Sequence, residues 1–164
     1  MRSEETEGRA DEVLATGASR TRWAASHLFF AALGPTLILA LFGLCIGLGF
    51  GISAGDVAGA LPRLWIRTLA VLPAIWVMVG IAAALYGLLP RFAAGITWAA
   101  LALFLILELG WELHQISQAV FDLSPFAYVH WSLPVTAAPL IGLTLAAALL
   151  TTVGLAGFRR RDVA

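Results

Sequence analysis

Polar and apolar residues are segregated along this chain. One strongly polar stretch, residues 3–23 (SEETEGRADEVLATGASRTRW), precedes a remainder that is almost entirely oily. Within that remainder four apolar runs stand out, at about 24–50, 64–89, 92–111 and 134–158. Each is long enough to cross a bilayer core, which takes about 20 residues. Lipid supplies no water to bond exposed backbone groups, so each run is read as a helix. The expected fold class is all-α integral membrane. It has about four transmembrane helices, an N-terminal cytoplasmic amphipathic helix and a short external helical loop. The organisation follows: residues 1–22 as a cytoplasmic segment, 23–158 as the transmembrane domain and 159–164 as a cytoplasmic tail.

The polar leader has helix signals of its own. Ser3 is placed to cap a first turn carrying Glu4, Glu5 and Glu7, where acid complements the helix dipole. Glu5 and Arg9 are an i,i+4 pair. Ala10, Val13, Leu14 and Gly17 make one narrow apolar stripe, Gly17 reads as a stop, and Ser19 as the next cap. So short a helix is not stable alone in water, so it is expected to dock on something. The competing reading is a frayed, solvated leader.

Composition sharpens the class. The chain of 164 residues is 60% hydrophobic and 12% charged, with a mean hydropathy of +0.90. Soluble domains are about half apolar and about a quarter charged. Net charge is zero, which leaves no electrostatic footprint for nucleic acid. The single cysteine, Cys45, lies in an apolar run and reads as inert packing. The acidic start does not read as a signal peptide.

Arginine placement sets the expected orientation. Arg20, Arg22, Arg91, Arg159, Arg160 and Arg161 fall on one side of four alternating helices, so both termini are expected in the cytoplasm at the plasma membrane. Arg63 and Arg67 dissent and are read as snorkelling to headgroups. Gly34-Pro35 predicts a kink in the first run. Gly43, Gly47 and Gly51 line one face, a pattern suited to close helix packing. Gly80/Ala84 and Gly142/Ala146 give further small faces in the second and fourth runs.

Few groups carry chemistry. Glu108 and Glu112 share a face at the end of the third run, with His114 two residues on. A carboxylate there is costly unless hydrated or paired, which makes both residues candidates for the substrate pathway near its exit. The alternative is an interfacial acid reaching water. His114, His130 and Asp122 lack the tight spacing of a metal site, so no metal is expected. Trp111, Tyr128 and Trp131 read as an interfacial aromatic belt, and Ser124-Pro125 as the start of a turn. No GxxxxGK[ST] loop is present, and no catalytic set is recognisable.

Gly8, Arg9, Ala10, Glu12, Leu14, Ala15, Thr16, Ser19, Arg20 and Trp23 match, in order, the cytoplasmic coupling segment of ABC-2-type exporter permeases. The resemblance is to the actinobacterial polyketide or tetronasin-like antibiotic exporters. Gly17-Ala18 stands where that family has Pro-Val. LPAIWVMVGIAAALYGLLPR, LSPFAYVHWSLP and the tail GLAGFRRRDVA resemble its corresponding segments, so the likeness covers nearly the whole chain. A half-permease of that family has six spans with the coupling segment after the second. This chain therefore looks like the C-terminal part of a longer exporter.

The resemblance implies an ATP-driven exporter of hydrophobic small molecules or antibiotics. Cofactors would be none in this chain, with ATP and Mg bound by a partner ABC ATPase subunit. A second permease half or a second copy would complete the membrane unit. Arg9, Asp11, Glu12, Leu14, Ala15 and Thr16 would couple to the ATPase. Two other classes stay open: an integral-membrane proton carrier or enzyme using Glu108, Glu112 and His114, and a structural membrane protein without transport activity.

Overall fold

The structure is a computed structural model; it describes the backbone over residues 20–160 and side chains over 26–158. The described residues fold as helix α1 (Arg20–Ala54), α2 (Val57–Leu69), α3 (Leu72–Leu88), α4 (Ala93–Glu112), the short α5 (Gln118–Phe121), a 3-10 turn (Ala127–Val129) and α6 (Ala137–Arg160). Four helical stretches are long and apolar enough to cross a membrane: Ser26–Ala54, Val57–Leu88 (α2 and α3 together), Ala93–Glu112 and Ala137–Phe158. Four crossings bring Arg20 and Arg160 to one end, here the terminal end. The α1–α2 turn and residues 113–136 mark the opposite, loop end.

Two helix pairs are sealed by small residues. The first is the antiparallel hairpin of α1 and α2. Gly55 turns it at φ +70, a left-handed backbone that glycine adopts without a Cβ clash. Asp56 then caps α2, its carboxylate accepting from the Gly59 N–H at 2.9 Å. The glycine face of α1 is the packing face. A Cβ on Gly43 would lie 3.0 Å from Trp65 and Thr68, one on Gly47 3.0 Å from the Leu61 backbone, and one on Gly51 2.7 Å from that of Val57. The Trp65 indole N–H donates across the pair to the Ala40 carbonyl at 3.0 Å.

The second pair is α3 against α6, the most extensive helix contact in the fold. It is parallel, because Gly80 meets Ala147 while Gly87 meets Gly154 further along both helices. The small face expected at Gly80/Ala84 is used, and both residues are buried. The face expected at Gly142/Ala146 is not. Nothing approaches Gly142 within 4 Å, and the α6 contacts fall on Ala147, Gly154 and Gly157. The rotation of α6 about its own axis decides this, and a stripe of small residues does not encode it.

Between the pairs, packing is sparser. The helical run after the turn begins at Val57, ahead of the boundary expected near residue 64. Pro62 lies inside this helix, which packs along the α1 glycine face. The run breaks at Ala70–Val71, and α3 restarts with Pro73 in its first turn, where a missing N–H costs no helix bond. α1 continues through Gly34-Pro35 without ending.

α4 stands to one side, its main helix contact being α3. Trp98 on its outer face is 71% exposed, as are many large apolar side chains of α1 and α6. In water such surface would drive association; against lipid tails it is the expected solvation. Cys45 is on this outer surface too, not packed inside. By helical rise α4, at 20 residues, is about 30 Å long, the thickness of a hydrocarbon core. The 29-residue stretch of α1 comes to about 44 Å, so tilt or projection past the lipid must take up the surplus.

Candidate functional site

Two features stand out: a polar clasp at the loop end and a line of apolar clefts beside α3. The clasp begins with α4, whose last turns carry Glu108 and Glu112 on one face. Residues 113–136 fold back over them and place His130, 6% exposed, against both. His130 Nε2 is 3.0 Å from Glu112 Oε1 and 3.6 Å from Glu108 Oε1. The same Glu112 oxygen accepts from the Trp131 indole N–H at 2.7 Å. A carboxylate there can only accept, so Nε2 carries a hydrogen, leaving Nδ1 to pair with the Ser132 hydroxyl at 2.8 Å. The second oxygen of Glu108 is buried with no hydrogen-bond partner.

Aromatic packing fixes the imidazole. Trp111 stacks on Phe121 at 5.0 Å, and Phe121 meets His130 edge-on at 5.5 Å. Ser124 is fully buried and its hydroxyl accepts from the Phe126 N–H at 3.2 Å, which holds the turn before His130. From the other side Arg67, near the end of α2, donates to the Leu133 carbonyl at 2.5 Å and also to that of Trp131. Trp131 is thus held twice, through its indole by α4 and through its carbonyl by α2.

The clefts follow α3. The first, about 360 Å³, lies at the terminal end between α1, α3 and α6, with His27, Leu28, Val79 and Tyr86 in its wall. The second, about 370 Å³, shares Leu28 and Val79 with the first and adds Trp76, Thr144 and Thr151. The third, about 290 Å³, shares Trp76 with the second and reaches Pro73, Val135 and Leu140. Val135 lies two residues beyond Leu133, so the line of clefts ends beneath the segment that Arg67 holds. Among the described residues, no Asp, Glu, Lys or Arg lines any of the three. The described acids, Asp56, Glu108, Glu112 and Asp122, all lie toward the loop end.

Glu108 and Glu112 come together as their spacing predicts, but they face His130 and line none of these clefts. The His114 side chain is not hydrogen-bonded to them; it stands exposed at φ +55 and acts on Glu112 only through space. Asp122 binds Gln118 at 2.6 Å and, through its carbonyl, the Tyr128 hydroxyl at 3.1 Å. Tyr128 and Trp131 are exposed as interfacial aromatics, whereas Trp111 is half-buried against Phe121. Arg67 bonds the carbonyls of Trp131 and Leu133. Among the described residues no group of His, Cys, Asp and Glu is arranged to hold a metal ion. Arg9, Asp11, Glu12, Leu14, Ala15 and Thr16 lie outside the described residues. Sequence reasoning missed Arg67, Trp76 and the role of His130. Each acts across many intervening residues, and no local spacing signals it.

Residues 1–159 match the family described as "Multidrug efflux system permease Rv1217c, C-terminal domain". The chain is also similar to the multidrug efflux system permease protein Rv1217c of Mycobacterium tuberculosis. The two are 40% identical over 166 residues, covering 99% of this chain and 30% of that protein. The chain thus spans less than a third of that relative's length.

Proposed function

The chain belongs to the family of the C-terminal domain of the multidrug efflux system permease Rv1217c, and from that footing we propose that it is the membrane-spanning part of an ATP-driven exporter of hydrophobic small molecules. The observation that carries the reading is the line of clefts along α3, lined by no charged side chain among the described residues and running from the terminal end to the clasped loop. Among the described residues its walls offer no counter-charge, which favours cargo that is neutral overall and largely apolar. Antibiotics of the polyketide class fit this description.

The architecture is of the ABC-2 type, with both termini in the cytoplasm and the loop end outside. A separate ATPase subunit binds ATP and Mg and drives the cycle. Residues Arg9 to Thr16 receive its movement, and a second permease half or a second copy completes the unit. A push transmitted to α1 moves α2 with it, because Gly43, Gly47 and Gly51 leave no slack between the two. The α3–α6 pair is sealed in the same way. Relative motion therefore concentrates at the Ala70–Val71 break and in the sparse packing between the pairs, where the clefts lie. Moving α2 also shifts Arg67, and with it the carbonyls of Trp131 and Leu133 that close the exit. Glu108 and Glu112 act on this closure through His130 and Trp131 rather than by lining the route. ATP and cargo must each favour a different one of the two arrangements for transport to occur.

The test is ATP-dependent uptake of a neutral hydrophobic dye into inverted membrane vesicles carrying the chain with its permease half and ATPase. Val79→Trp, which fills the junction of the first two clefts, is expected to abolish uptake while the ATPase still co-purifies. Glu12→Ala with Leu14→Arg is expected to lose the ATPase itself. Undiminished uptake in the first variant removes the cleft route, and undiminished co-purification in the second removes the coupling assignment.

A further inference from the structure

Trp76 is the wall between the second and third clefts, the one residue whose side chain borders both. Its indole N–H is buried and has no hydrogen-bond partner. The other polar side chains of the second cleft are spent as donors: Thr144 donates to the Leu140 carbonyl at 2.7 Å, Thr151 to that of Ala147 at 2.8 Å and Thr152 to that of Leu149 at 2.8 Å. An unpaired donor in an apolar surround carries a desolvation penalty that any incoming acceptor relieves. Lipid tails and hydrocarbon cargo bring no acceptor. A carbonyl or ether oxygen does.

We propose that Trp76 is a specificity-determining residue of the route, whose N–H selects neutral cargo bearing a hydrogen-bond acceptor as it passes from the second cleft to the third. The inference rests on the reading of the clefts as the cargo path. Its chemistry is fixed by two facts at one place. Among the described residues the walls are uncharged, which gives an organic cation no counter-charge, and the donor is unpaired, which rewards an acceptor. A site that offers a hydrogen-bond donor disfavours analogues that leave it unmatched.

The experiment compares two probes of nearly equal shape, difluorobenzophenone and bis(fluorophenyl)methane, which differ by a carbonyl in place of a methylene. Each is titrated by fluorine NMR into the full chain in lipid nanodiscs, with empty nanodiscs as the partition control. The ketone is expected to bind saturably and more tightly than the hydrocarbon. Trp76→Phe keeps an aromatic ring but removes the donor, and is expected to weaken ketone binding roughly three- to tenfold, the worth of one neutral hydrogen bond, while leaving hydrocarbon binding unchanged. Benzothienylalanine in place of Trp76 replaces the N–H by sulfur at constant shape, and is expected to give the same selective loss even if the Phe variant folds poorly. Equal effects on both probes, or none on either, overturn the role of Trp76 and leave the cargo path standing. If neither probe binds above the empty nanodisc, lipid holds the clefts and both readings fall.

Discussion

Gly154 tests the packing on which the proposed motion depends. A Cβ built there lands against the Ala83 carbonyl and only 2.8 Å from the Ala84 backbone nitrogen, while ordinary contact begins near 3.4 Å. The opposing atoms are helix backbone and cannot turn aside. Gly154→Ala therefore forces α3 and α6 apart by roughly half an ångström to one ångström, a gap that forfeits a quarter to a half of each dispersion contact along the seam. Overpacking of this kind costs about 1–3 kcal/mol, a factor of roughly 5 to 150 in the folding equilibrium. Gly142→Ala is the internal control. It adds the same methyl to the same helix where nothing lies within 4 Å, and is expected to be neutral or slightly stabilising. The assay is unfolding of the purified chain in detergent, by steric trapping or by heating followed by gel filtration. A Gly154→Ala variant as stable as the parent, or a Gly142→Ala variant equally damaged, would refute the account of α3 and α6 as one rigid body.

Two further outcomes follow from single contacts. Arg67→Ala frees the Trp131 and Leu133 carbonyls, so hydrogen exchange over residues 126–136 should quicken several-fold while exchange in α3 and α6 holds; unchanged protection removes Arg67 from the closure. Trp65→Phe keeps the ring against Gly43 but loses the N–H bond to Ala40, and should cost about 1 kcal/mol in the same unfolding assay. A loss much larger than that would mean that the ring's shape, and not the bond, holds α1 to α2.

The parts legible in the chain were those governed by local chemistry. Apolar runs about a bilayer thick become helices because lipid leaves the backbone no other partner, and that holds for all four. The Gly43, Gly47, Gly51 face was legible because its period belongs to one helix, and it is the face that packs. Glu108 and Glu112 were expected side by side for the same reason. Tertiary structure decided the rest. Which stripe of α6 meets α3 depends on helix rotation, so Gly154 and Ala147 were chosen over Gly142. His130, and not the nearer His114, reached the carboxylates because the loop folds back through Phe121 and Ser124. Arg67 found carbonyls more than sixty residues away, and Trp76 was left unpaired between two clefts. Such pairings are set when helices far apart in sequence come to rest on one another, and no spacing along the chain records where they meet.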